Sequence, residues 1–158
     1  MKTAVIMVPG SFPKASESIF RAIGKSLAET EYEIFVLEKA NWKNLESKAG
    51  TLTPKILVGK SAGGRLAVEY QIKHKDAKAL VLLAAAVKAN EQLREIKVPV
   101  LIVHGTADRV VPIENSREIA KWFENSRLVE VQGANHQYKG KEPETAKTVV
   151  DWLTSLTS

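Results

Sequence analysis

Six runs of branched apolar residues alternate with amphipathic segments along the chain, and this alternation constrains the fold more than any other feature. Each run is continuously apolar, which predicts strands buried on both faces of a parallel sheet. The predicted strands are Thr3–Pro9, Glu33–Leu37, Lys55–Val58, Ala79–Ala85, Val98–His104 and Arg127–Gln132. Strands that alternate with helices in this way predict an α/β fold, a three-layer α/β/α sandwich around a mostly parallel sheet of about six strands.

Helical periodicity fills the intervals between these runs. Two of the predicted helices begin next to a proline, a residue that favours the first turn of a helix. The predicted helices are Ser16–Glu29, a short one around Trp42–Lys48, Gly64–His74, Ile113–Asn125 and Glu144–Leu156. No linker or repeat interrupts the pattern, so we expect residues 1–158 to form a single domain.

Composition excludes several classes of protein. A chain that is 44% hydrophobic and 26% charged is globular rather than disordered. It has no apolar run long enough to span a membrane, and its net charge of +5 is scattered rather than gathered into a basic stripe. We therefore expect no membrane or nucleic-acid partner and a monomer or homodimer. The absence of cysteine favours a cytoplasmic location.

The segment Gly59–Gly63 carries the first chemical signal. It reads G-K-S-A-G, follows a predicted strand and precedes a predicted helix. A strand, a G-x-S-x-G turn and a helix form a nucleophile elbow, in which small neighbours allow the serine to project from a sharp turn. Ser61 is therefore the predicted nucleophile, and the Ala62 amide at the helix N-terminus is a predicted oxyanion donor.

Two further residues complete the pattern of a catalytic triad. Asp108 and His136 each lie a few residues beyond a predicted strand. Loops that follow parallel strands share the carboxyl edge of the sheet, so these residues can meet Ser61 in space. Glu91, in the loop after the fourth strand, is an alternative acid.

The order Ser61, Asp108, His136 is that of the α/β-hydrolase superfamily, and the chain resembles its small lidless members, similar to dienelactone hydrolase. H-G-T-A-D-R-V-V-P over 104–112 and G-A-N-H over 133–136 have the habitual form of the acid and histidine loops. G-K-S-A-G-G-R over 59–65 resembles the elbow of a hydrolase-like subgroup. The resemblance covers Thr3 to about Leu156.

This resemblance implies the strand order 2-1-3-4-5-6 and a minimal hydrolase core. The two antiparallel strands that usually open the fold are missing, and no segment is long enough for a cap domain. We therefore expect an open active site and an edge strand, Glu33–Leu37, with little cover.

The loop Pro9–Pro13 is where the family takes its second oxyanion donor. Alignment gives the amide of Ser11, with the Phe12 amide as the alternative, because Pro13 has no N–H. The Phe12 side chain is a candidate substrate contact, although plain packing and a mere chain turn at Gly10 remain alternatives for this loop.

Other polar residues favour structural roles. Lys60 is expected to support the elbow rather than act as a base, and His104, at a strand end, to be a satisfied structural histidine. No H-x-H or H-E-x-x-H spacing, G-x-G-x-x-G or Walker motif is present. We therefore expect neither a metal nor another cofactor.

The sequence thus predicts a serine hydrolase that cleaves small carboxylic esters or thioesters through an acyl-enzyme, with a small-molecule ester as its partner. An acyltransferase or a peptidase could use the same triad. A catalytically silent hydrolase-fold binding or scaffold module is the alternative from a different class, because fold alone does not imply activity.

Overall fold

One parallel sheet organises the protein, whose computed structural model describes residues 2–156. Its strands are β1 (Thr3–Val8), β2 (Tyr32–Val36), β3 (Lys55–Lys60), β4 (Leu80–Leu83), β5 (Val100–Gly105) and β6 (Ser126–Val131). They lie in the order β2-β1-β3-β4-β5-β6, and every neighbouring pair is parallel. This is the predicted minimal α/β-hydrolase fold, and the predicted strand order is confirmed.

Helices cover both faces of the sheet. They are α1 (Glu17–Leu27), α2 (Trp42–Gly50), α3 (Ala62–His74), α4 (Ile113–Ile119) and α5 (Glu142–Ser155). Successive strand residues point to opposite faces, so Val5 packs in the core under α1 and α5, whereas Ile6 packs in the core under α2, α3 and α4. The three layers follow from this alternation.

Burial separates the four central strands from the two at the edges. β3, β4 and β5 are buried throughout and β1 nearly so, which fits their continuous apolar runs. The expectation that all six strands are buried on both faces is wrong for β2 and β6, because each has only one neighbour and one partly covered face. Val36 at the end of β2 is 53% exposed.

The fourth helix is shorter than the pattern predicted. The sequence predicts a helix over Ile113–Asn125, whereas α4 ends at Ile119. Beyond Ile119 the backbone includes hydrogen bonds between residues three apart, as in a 3-10 turn, with the amide of Trp122 donating to the Ile119 carbonyl. The chain must turn here because the Asn125 carbonyl accepts from Val100 N at the start of the β5–β6 pairing. Phe123 still reaches the core.

Within residues 2–156, no helix has both the length and the apolar character that crossing a bilayer demands.

Candidate active site

Ser61 occupies a strained turn between β3 and α3. Its backbone has φ 54° and ψ −120°, a region that residues with a Cβ rarely adopt. Ser61 N donates to the Leu83 carbonyl at 2.9 Å, and the Ser61 carbonyl accepts from Gly64 N and Ala86 N at 3.0 Å each. These bonds on both sides hold the turn in place.

The glycines around Ser61 are required because neighbouring atoms leave no room for a side chain. A Cβ on Gly59 would lie 2.6 Å from the Gly64 Cα, and one on Gly64 would lie 2.6 Å from the Ala85 Cβ. A Cβ on Gly63 would overlap the carbonyl oxygens of Val8 and Pro9. The close crossing of β1, β3 and α3 therefore depends on these small residues, as the elbow motif predicts.

Direct bonds join the loops that carry Asp108 and His136. Ala107 N donates to the Ala134 carbonyl at 3.0 Å, and Gly133 N donates to the Thr106 hydroxyl at 2.8 Å. The second loop also packs against Gly105 so closely that a Cβ there would overlap Ala134. The acid and the histidine are thus placed by adjacent strands, β5 and β6, and by contacts between their loops.

A hydrogen-bonded chain connects the three predicted residues. His136 Nε2 lies 3.2 Å from Ser61 Oγ, and His136 Nδ1 lies 2.8 Å from Asp108 Oδ2. A carboxylate only accepts, so the proton sits on Nδ1 and Nε2 is free to accept from the serine hydroxyl. The His136 side chain is 14% exposed, which leaves its ring in reach of a substrate.

The Asp108 carboxylate accepts four hydrogen bonds. Its Oδ1 accepts from the amides of Val110 and Val111 at 2.8 and 2.9 Å, and its Oδ2 accepts from His136 and from His104 Nε2 at 3.0 Å. Burial raises the pKa of Asp108, but the bonds from the two histidines and the two amides outweigh it and hold that pKa well below its usual range. Asp108 is therefore ionised at neutral pH.

Sequence analysis missed the part that His104 plays in this site. The ring is fully buried and satisfied, as expected, yet its Nε2 bonds to the same Asp108 oxygen as His136 does and also to the Val111 carbonyl. Because both partners accept, Nε2 carries the proton. Its Nδ1 meets the buried hydroxyl of Ser116 in α4. The available signal was the spacing of four residues between His104 and Asp108.

Lys60 lies buried beside the nucleophile. It precedes Ser61 at the end of β3 and is 1% exposed. Burial lowers its pKa, and the negative charge of Asp108 partly opposes that shift. The supporting role expected from sequence is compatible with this position.

The loop after β1 packs directly on the nucleophile. A Cβ on Gly10 would lie 3.2 Å from the Ser61 Cβ and 3.7 Å from its Oγ. Gly10 N donates to the buried Ser16 hydroxyl at 3.3 Å, so this amide points away from the Ser61 hydroxyl. Ser11 follows in an exposed position, and the Phe12 side chain is 81% exposed.

Ala62 is the first residue of α3. The first amides of a helix lack intrahelical carbonyl partners and carry the positive end of its dipole. The backbone N–H of Ala62 is therefore suited to receive negative charge near Ser61.

Two further expectations concern residues outside this chain of bonds. Glu91, the alternative acid, lies exposed in a short 3-10 helix, Glu91–Glu95. The atom to which a triad acid would bond, His136 Nδ1, is hydrogen-bonded to Asp108. In the described residues, no three His, Cys, Asp or Glu side chains form a group that could hold a metal ion.

Comparison with known protein families decides the membership of this chain. Residues 4–144 match the model of the Alpha/beta hydrolase family. The chain belongs to that family.

A curated relative adds a local match to this member of the family. The bifunctional esterase/perhydrolase DCH of Acinetobacter calcoaceticus is 43% identical over 56 residues. The matched segment covers 35% of this chain and 20% of the relative, so the two chains are similar over a small part of the relative's length.

Solved structures share the fold of this chain over nearly its whole length. Est1E from Butyrivibrio proteoclasticus has a TM-score of 0.85 at 18% identity, over 98% of this chain and 88% of its own. A thermophilic esterase from Thermogutta terrifontis has a TM-score of 0.78 at 15% identity, over 100% and 92%. A predicted CIB-like hydrolase from Thermoplasma acidophilum has 0.77 at 24%, over 96% and 86%. These structures show that the chain shares their fold over nearly its whole length.

Proposed function

We propose that the protein is a serine hydrolase that cleaves small carboxylic esters or thioesters through an acyl-enzyme. The observation that carries the proposal is the hydrogen-bonded chain from Ser61 Oγ through His136 to Asp108, which starts on a strained elbow. A packing role would not require a serine at positive φ, and strain of this kind is commonly kept at functional sites.

Each of the three residues has a defined task in this mechanism. Ser61 Oγ attacks the carbonyl carbon while His136 Nε2 takes the hydroxyl proton, and the same proton passes to the leaving group as the carbonyl–oxygen or carbonyl–sulfur bond breaks. Asp108 keeps the proton on His136 Nδ1 and stabilises the imidazolium that forms. Water, activated by His136, then releases the acid and restores Ser61.

Two backbone amides would stabilise the tetrahedral oxyanion. We assign these donors to Ala62, at the N-terminus of α3, and to Ser11, in the loop that packs on Ser61; the Phe12 amide is the alternative for the second. Preorganised donors of this kind usually supply the largest electrostatic contribution to the rate. The exposed Phe12 side chain is assigned to the wall of the substrate site.

The wider proposal concerns the setting of this chemistry. We expect the protein to act in the cytoplasm as one domain without a cap, with no cofactor, nucleic acid or membrane partner. Its partner in this proposal is a small ester.

A double substitution tests the mechanism with p-nitrophenyl acetate. Ser61→Ala and His136→Ala should each lower kcat by about 10³–10⁶-fold, and the double variant should lose little more than either, since the residues act as a unit. Ser47→Ala, an exposed serine in α2, is the matched control and should keep full activity. Losses that multiply in the double variant would contradict a shared mechanism, and retained activity in Ser61→Ala would contradict the nucleophile.

A further inference from the structure

A cleft of about 770 Å³ lies between α1 and the edge strand β2. Its apolar walls include Phe20 from α1, Ile34 and Val36 from β2, and Pro9 and Pro13 from the loop after β1. Small-molecule sites in proteins are concave, mostly apolar and of about 300–1,000 Å³, so this cleft has the size and the lining of one. The three bonded residues of the candidate active site do not line it.

The cleft nevertheless ends beside the nucleophile. It reaches the carboxyl end of β2, the same edge of the sheet on which Ser61 lies. Pro9 and Pro13 bracket the loop whose Gly10 packs on Ser61, and Phe12, with a side chain that is 81% exposed, precedes Pro13 in this loop. Only β1 separates β2 from β3, so an acyl chain bound to Ser61 would reach the near end of the cleft at Pro9 after about 5 Å, one strand spacing, and β2 after about 10 Å, two strand spacings.

Gly24 opens the cleft in the middle of α1. A glycine inside a helix costs about 1 kcal/mol relative to alanine. Packing does not require it, because an added Cβ would have its nearest neighbour, Ile34 Cδ1, at an ordinary 3.9 Å. The missing side chain therefore leaves open a space in the cleft at the expense of helix stability.

Charge around the mouth of the cleft is balanced. Glu17 and Glu38 stand with Arg21 and Lys25 along its rim. Two acids and two bases give no net attraction for a charged ligand, while the floor is apolar. The occupant that fits is an uncharged apolar group.

We propose that this cleft binds the acyl chain of the ester while its carbonyl lies at Ser61. The inference rests on the proposed function and narrows its substrate class to esters with an unbranched apolar acyl chain of medium length, about eight to ten carbons, long enough to cross two strand spacings. The Phe12 ring would cover the chain between Ser61 and the cleft.

Acyl-chain length tests the proposal with a constant leaving group. For the wild type, kcat/KM on p-nitrophenyl octanoate should exceed that on the acetate by at least tenfold, since each fully buried methylene is worth about fourfold. Gly24→Leu fills the cleft and should lower kcat/KM for the octanoate by about tenfold while the acetate stays within about twofold. A wild-type preference for acetate, or an unchanged octanoate-to-acetate ratio in Gly24→Leu, would overturn the inference.

Gly50→Leu is the matched control. Gly50 also lies in a helix, at the end of α2 on the opposite face of the sheet, and an added Cβ there meets nothing within 4 Å. The control should leave the chain-length profile unchanged. A control variant that loses octanoate activity as Gly24→Leu does would show that the effect does not come from the cleft.

Binding of the free octanoate anion tests whether the cleft accepts an acyl chain when no ester is turned over. Added to the Ser61→Ala protein, octanoate should shift NMR signals of α1 and β2 amides, and Gly24→Leu but not Gly50→Leu should abolish these shifts. No shift in these elements would contradict the inference. Octanoate binding without any ester cleavage by the wild type would contradict the proposed function alone, whereas cleavage with a flat chain-length profile would contradict this inference alone.

Discussion

The carboxylate of Asp108 is the most heavily bonded polar group of the site. Two histidines share its Oδ2, and only one of them contacts the serine. Each donor that the carboxylate keeps limits its rotation, and its orientation sets that of the His136 ring. We infer that His104 is a positioning residue, which acts on Ser61 through Asp108 and His136.

Replacing His104 tests this role. His104→Phe fills the space without a donor and should lower kcat by roughly 10–100-fold while KM changes little, as is typical when the partner of a functional side chain is lost. His104→Gln keeps a donor and should recover a large part of the loss. Steady-state kinetics on one ester measures both. Equal losses in the two variants, matched by equal losses of thermal stability, would indicate packing alone.

The depressed pKa of Asp108 gives a stability prediction with a definite sign. Its ionised form is favoured in the folded state, so it contributes stability above the unfolded value of about 3.9 and loses that contribution as pH falls toward the folded pKa. The difference in free energy of unfolding between wild type and Asp108→Asn should shrink as the pH falls below about 4, where Asp108 takes up a proton. Urea titrations from about pH 5 downward measure it. A difference that does not shrink in this acid range would contradict the assignment.

Among the elements, α5 carries a buried hydroxyl group that lacks a hydrogen-bond partner in the described part of the chain. Thr145 is fully buried against the core under α1 and α5, and its hydroxyl has no hydrogen-bond partner within residues 2–156. A buried unsatisfied hydroxyl costs about 1–3 kcal/mol. The sequence pattern of α5 does not reveal this cost, because threonine is common on helix surfaces.

Thr145→Val should therefore stabilise the protein by about 1 kcal/mol, measured as the free energy of unfolding in urea. Thr148→Val is the matched control on the same helix. Its hydroxyl donates to the Glu144 carbonyl near solvent, and its loss should change stability by less than about 0.5 kcal/mol. A lower stability for Thr145→Val would mean that the hydroxyl is bonded in solution.

The elements differ in how far the sequence predicts them. The central strands were predicted to within a few residues, because runs such as Leu80–Leu83 are buried on both faces. The end of α4 was not predicted, because the hydrogen bond between Val100 N and the Asn125 carbonyl sets where the chain turns, and local periodicity does not show this bond. The cleft was not predicted either, because it arises where Gly24 lacks a side chain next to an uncovered edge strand, and neither fact is visible as a motif.

In the whole molecule, sheet topology explains how distant residues form one site. Ser61, Asp108 and His136 are separated by 47 and 28 positions in the chain, yet each follows a parallel strand and all three lie at one edge of the sheet. The motifs predicted that they would be near one another. The contact of His104 with Asp108 was found only in the structure, because it depends on the orientation of the His104 ring within the core.

Reaction with a fluorophosphonate probe tests the central claim most directly, because the probe needs a serine activated by a base and an oxyanion hole but no knowledge of the substrate. The account predicts one adduct per chain, mapped to Ser61, with the other serines unlabelled. Asp108→Asn should slow labelling strongly, since the asparagine would hold the wrong imidazole tautomer. Folded protein that stays unlabelled at mildly alkaline pH, or that is labelled at another serine, would contradict the account.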